Sequence, residues 1–142
     1  MEVTTHARWV EGLKFAGAGW SGHEIMMDAN VESGGEDSGA RPMELLLVGL
    51  TGCTGMDVVS LLRKMRVPFT GLELNVSADK SEEHPSVFTA IRLEYVVRGQ
   101  DIDPEKVNKA VALSMERYCS VSAMLRKACP IEHSVRVVTD PA

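Results

Sequence analysis

The stretch from Pro42 to Met65 reads PMELLLVGLTGCTGMDVVSLLRKM. Proline suits the first turn of a helix, where its missing N–H has no intrahelical partner to lose. From Met43 to about Met65 the pattern predicts one long helix. Its first half (Met43, Leu45, Leu46, Leu47, Val48, Leu50) is apolar all round, which predicts burial on every side. Gly49, Gly52 and Gly55 each cost about 1 kcal/mol of helix stability relative to alanine. Three such costs in one helix point to close packing against another backbone, and a second copy of the same helix is a good candidate. Arg63, Lys64 and Arg66 form the basic end that the helix dipole favours.

On the N-terminal side the chain reads as a strand meander. Val3, Thr5, Ala7 and Trp9 alternate with polar neighbours, Glu11-Gly12 makes a turn, and short strands follow around 13–18 and 23–29. Residues 32–41, rich in Gly and Ser without an apolar period, read as a loop. On the C-terminal side, Val67-Pro68 and Gly71 end the helix. Leu72, Leu74, Val76 and Ala78 then alternate as a strand, 81–86 form a turn, and Val87 to Val97 alternate again, giving an antiparallel hairpin. Asp103-Pro104-Glu105 has the N-cap, proline and first-turn acid of a helix start. The inner stripe of that helix is expected to be Val107, Ala110, Val111, Ser114 and Tyr118. A short helix over 120–127, capped by Ser120, and a closing strand over 131–139 complete the order βββ–α–ββ–α–α–β. This is an α+β fold in a single domain of 142 residues.

Composition narrows the function. Hydrophobic residues make up 44% and charged residues 25%, the balance of an ordinary globular chain. A net charge of −5 with no cluster of basic residues argues against a nucleic-acid partner. The longest uncharged apolar stretch, Leu45 to Met56, has 12 residues, fewer than the roughly 20 of a membrane span. The N-terminus lacks a signal-peptide profile, and three widely spaced cysteines suit free thiols in a cytoplasmic protein.

No glycine-rich phosphate loop, paired-histidine metal helix or Cys-x-x-Cys is present, and the four histidines are scattered, so neither a cofactor nor a metal is expected. The cysteines are the remaining candidates. Cys53 lies mid-helix in an apolar run, where a free thiol commonly packs as a small hydrophobe. Cys119 precedes the short helix, whose dipole should favour its thiolate and lower its pKa. Cys129, before Pro130, reads as incidental. By local physics alone, Cys119 is the reactive thiol.

Pro42 to Cys53 resembles the segment of OsmC/Ohr proteins that runs Pro-Glu, small and apolar residues, then Cys. Cys119-Ser120-Val121-Ser122 is similar to the family's second site, usually Cys-Pro-x-Ser, at a family-like separation. Cys53-Thr54-Gly55-Met56-Asp57-Val58 is closest in flavour to a less characterised branch. The resemblance covers nearly the whole chain. It implies two sheets around central helices in an intertwined homodimer, with sites between subunits. It also implies thiol-dependent reduction of organic hydroperoxides, with Cys53 peroxidatic and Cys119 resolving through a disulfide that a small dithiol or thiol protein reduces. The alternative is a non-peroxidatic module binding a small hydrophobic ligand at the dimer interface.

The chain departs from the family pattern beside Pro42. The usual Glu directly after the proline is Met43, and the acid stands at Glu44, near 180° from Cys53 at about 100° per residue. The activating arginine has no direct match; Arg41 is the nearest substitute, with Glu44 to orient it, and Arg8 a weaker one. Asp57, one turn beyond Cys53, would raise a thiol pKa.

Overall fold

The computed structural model describes residues 1–141. The element order is β1 (His6–Glu11), β2 (Lys14–Ala18), β3 (Glu24–Met27), α1 (Pro42–Lys64), β4 (Phe69–Lys80), β5 (Phe88–Gly99), α2 (Pro104–Leu113), α3 (Ser120–Leu125) and β6 (Ile131–Thr139). This is the α+β order that the sequence predicts. The chain divides into two compact units, Met1–Val48 and the remainder from Gly49.

In the first unit, β1, β2 and β3 form an antiparallel meander. β1 is exposed along its whole length, and Trp9 (64%) and Trp20 (72%) both stand open. The loop after β3 is not featureless. Asn30 caps a single 3-10 turn over Val31–Ser33, and Asp28 gathers the amides that follow.

The second unit is a three-stranded sheet, β4-β5-β6, with helices against it. β4 and β5 pair antiparallel as a long hairpin, and β6 returns parallel to β5, with Tyr95 opposite Val135. The period of two in β5 is decisive. Ile91, Leu93, Tyr95 and Val97 are all buried and build the core with Leu50, Val58, Leu62, Val107, Ala110 and Val111. α1 closes beyond Lys64, where Arg66 takes a left-handed φ of 59° and Val67 N–H returns to the Leu62 carbonyl at 2.9 Å.

Two expectations fail in detail. α1 is not buried all round within the chain: only the stripe Leu50, Thr54, Val58, Leu62 is buried, while Leu46, Val48 and Met56 are exposed. By length and composition Pro42–Lys64 could also cross a membrane, which the count of uncharged residues missed. Its buried stripe and the hydrogen bond that Asp57 accepts from Ser114 make it a core helix instead. Tyr118 is also 53% exposed rather than on the inner stripe of α2, and Met115 is buried in its place. The reason is a π-helical turn over Ser114–Tyr118, closed by Cys119 N–H on the Ser114 carbonyl at 2.7 Å. One extra residue in the turn shifts the phase of every side chain after it.

Candidate functional site

α1 carries Cys53 at its midpoint, half-buried beside the core stripe. Cys119 is delivered by the π turn and is 3% exposed. The two thiols lie near enough for Cys119 to feel Cys53, and all three cysteines are free. Cys119, not Ser120, is the N-cap of α3: its sulfur accepts from Ser122 N–H at 3.4 Å, while Ser122 Oγ donates to the Cys119 carbonyl at 3.0 Å. The expected lowering of its pKa is reversed. Burial pushes the Cys119 thiol up, the bonds from Ser122 oppose this, and the neighbouring Cys53 adds to the rise. Desolvation outweighs one turn of helix dipole. Cys129, buried four residues beyond the end of α3, donates its backbone N–H to the Leu125 carbonyl.

Below the cysteine pair lies a run of buried hydroxyls that sequence reasoning did not assemble. Tyr95 OH and Thr54 Oγ1 are 2.7 Å apart, Thr54 Oγ1 and Ser114 Oγ are 2.7 Å apart, and Ser114 Oγ donates to Asp57 Oδ2 at 2.8 Å. Burial raises the Tyr95 hydroxyl to about 12; Thr54 opposes this, and the charges of Cys119 and Asp57 add to it. The sequence held one partial signal: Thr54 and Asp57 lie three residues apart, on one helix face. Tyr95 and Ser114 come from other elements and could not be paired with them from spacing.

Gly52, Gly55, Met56, Val59, Ser60, Arg63, Lys64, Leu72 and Leu74 line a largely apolar cavity of about 640 Å³ between α1 and β4, with two cations at one end. Gly52 is the residue before Cys53.

The other site residues expected from the sequence are bonded within the first unit. Glu44 Oε1 accepts from Arg41 N–H at 2.8 Å, the return half of a capping box at the start of α1. The Arg41 guanidinium donates to the Gly39 carbonyl at 3.0 Å and pairs with Asp37 at 2.7 Å. Arg8 pairs with Glu24 at 3.5 Å on an exposed surface.

Comparison with known proteins decides the family. The sequence model of OsmC-like proteins matches residues 35–134. The chain belongs to the OsmC-like family. Among OsmC-like relatives, Protein YhfA of Escherichia coli K12 is 46% identical over 136 residues, covering 96% of this chain and 98% of its own. A hypothetical protein from Aquifex aeolicus superposes with a TM-score of 0.86 at 29% identity, covering 99% of each chain. An organic hydroperoxide resistance protein OsmC from Legionella pneumophila shares the OsmC-like fold, with a TM-score of 0.71 at 15% identity over 96% of this chain and 97% of its own.

Proposed function

We propose that this OsmC-like protein reduces organic hydroperoxides with Cys53 as the attacking thiol and Cys119 as the resolving thiol. The observation that carries the reading is that Cys53, half-buried on α1, and Cys119, sealed at the start of α3, lie near enough to influence each other electrostatically. In the first step the Cys53 thiolate attacks the outer peroxide oxygen, the O–O bond breaks, and the alkoxide leaves as the alcohol after taking a proton. Cys53 becomes a sulfenic acid. In the second step Cys119 sulfur attacks Cys53 sulfur, the S–O bond breaks, and water leaves as the disulfide forms. A small dithiol or a thiol protein then restores both thiols. The greater exposure of Cys53 favours it as the first to meet peroxide. Fold kinship with the Legionella hydroperoxide resistance protein supports the same chemistry. The apolar cavity beginning at Gly52 suits an alkyl chain, which gains from burial.

Arg41 remains the proposed activating residue, with Glu44 holding its backbone N–H at the start of α1. A homodimer in the cytoplasm is the proposed setting, and the exposed apolar side chains of α1 support self-association. The partners in this reading are the organic peroxide and the thiol reductant, with no nucleic acid and no membrane. One observation favours the second reading, a module that holds a small hydrophobic ligand: the Arg41 guanidinium is already committed to Asp37 and Gly39.

Stoichiometric cumene hydroperoxide followed by peptide mapping separates the two. A Cys53–Cys119 bridge with Cys129 free is the expected product. Protein that emerges with three free thiols belongs to the ligand-binding reading.

A further inference from the structure

Ser114 is fully buried, and each of its polar groups is bonded. Its N–H donates to the Ala110 and Val111 carbonyls, which ties it to the end of α2. Its hydroxyl donates to Asp57 Oδ2 at 2.8 Å, and because a carboxylate only accepts, that hydrogen is committed. Ser114 oxygen must then receive its bond from Thr54 Oγ1, 2.7 Å away. Thr54 and Asp57 lie three residues apart on α1, so one serine grips one face of that helix at two points. The Ser114 carbonyl takes the Cys119 N–H at 2.7 Å and closes the π turn. Beyond the turn Cys119 is held again: its carbonyl accepts from Ser122 Oγ at 3.0 Å and its sulfur from Ser122 N–H at 3.4 Å.

A route of bonded residues therefore joins the two cysteines. Cys53 is the chain neighbour of Thr54, Thr54 bonds Ser114, and Ser114 bonds the Cys119 backbone. An apolar side chain at 114 could fill the same space, but apolar contacts are non-directional and would let the turn slide along α1. Buried hydroxyls with every bond satisfied fix one arrangement. We propose that Ser114, gripping Thr54 and Asp57, is a clamp that places Cys119 in advance for disulfide closure onto Cys53. This rests on the paired-thiol reading above and adds what holds the second thiol in position. Ser114, Thr54 and Asp57 are positioning residues, acting through the π turn that delivers Cys119. Thiols held in place before they react have a higher effective concentration toward each other.

Glutathione redox buffers measure that effective concentration without peroxide. Two protein thiols and one oxidised glutathione give the protein disulfide and two reduced glutathiones, so atoms and electrons balance. In a Cys129→Ser background the oxidised fraction is read by thiol trapping and mass spectrometry. Ser114→Ala should lower the effective concentration about tenfold, the worth of one or two net hydrogen bonds, which makes the disulfide about 30 mV easier to reduce. Thr54→Val should lower it in the same direction, and Thr54→Ser, which restores the hydroxyl, should recover most of the loss. Tyr95→Phe breaks a bond in the same buried run but leaves Thr54 joined to Ser114, so it should lower the melting temperature and not the effective concentration. A parent-like value in Ser114→Ala, no recovery in Thr54→Ser, or a fall in Tyr95→Phe as large as in Thr54→Val overturns the clamp. A parent that forms no Cys53–Cys119 bridge in oxidised glutathione overturns the paired-thiol reading and the clamp with it. A parent that bridges there, responds to these variants as expected and stays reduced under cumene hydroperoxide keeps the clamp and loses only the peroxidase.

Discussion

Asp28 is 3% exposed, and its carboxylate accepts four hydrogen bonds. They come from the amides of Ala29 (2.8 Å), Glu36 (3.1 Å) and Ser38 (3.1 Å) and from the Ser38 hydroxyl (2.7 Å). The Ser38 hydroxyl and the three amides hold the acid far below the usual carboxylate range, against the cost of burial. A depressed folded pKa gives stability that is full above the unfolded value of about 3.9 and is lost as pH falls toward the folded one. Asp28→Asn should therefore be less stable than the parent at neutral pH, and its stability should fall less steeply below about pH 4. Denaturant titrations at several acid pH values measure this; parallel curves for the two proteins would contradict it. Gly35 belongs to the same knot, since a Cβ there would lie 2.1 Å from the Ala29 carbonyl oxygen. None of this was legible in residues 32–41, because the partners of Asp28 are backbone amides that carry no sequence signature. The cysteines were legible as residues but not in their ranking. Local physics favoured Cys119 through its helix, and only burial, a property of the folded core, reverses that.

Among the elements, the strands and α1 were readable because each has a strong period and clear punctuation. β5 alternates from Ile91 to Tyr95 before Val96 joins the buried set, and α2 opens on Asp103, whose side chain accepts from Glu105 N–H. What escaped was the turn that follows α2, because a π turn is a change of count, not of composition. The glycines of α1 were read as close-packing positions, and here the structure sharpens the point. A Cβ at Gly49 or Gly52 would meet nothing within 4 Å among the described residues, and one at Gly55 would touch only the Leu74 side chain at 3.4 Å. No described residue of this chain supplies a backbone that explains Gly49, so the proposed homodimer would have to supply it. Gly49→Ala should keep the helix content and weaken self-association about tenfold, the low end of an overpacking cost of roughly 1–3 kcal/mol. A dilution series followed by light scattering reads this directly. Tighter or unchanged association with higher thermal stability would leave Gly49 facing water, where alanine only improves the helix.

For the molecule as a whole, the exposure of Trp9, Trp20, Leu46, Val48 and Met56 is the property that most needs an explanation. A chain of this size gains little by leaving such side chains in water. The proposed homodimer predicts one sedimenting species of twice the chain mass at micromolar concentration. A folded monomer under those conditions would refute it. The turn at Ser114–Tyr118 carries a different kind of consequence, one about chain length. Losing a single residue there would leave an ordinary α-helical turn and shift the phase of every side chain after it, the buried Cys119 and Ser122 among them. Cys119 would then arrive about 100° earlier around the helix axis, out of register with Cys53. The exposed side chains of Glu116, Arg117 and Tyr118 can vary, but the number of residues in this turn is set: the segment works as a ruler, and a gap in it would part the two thiols.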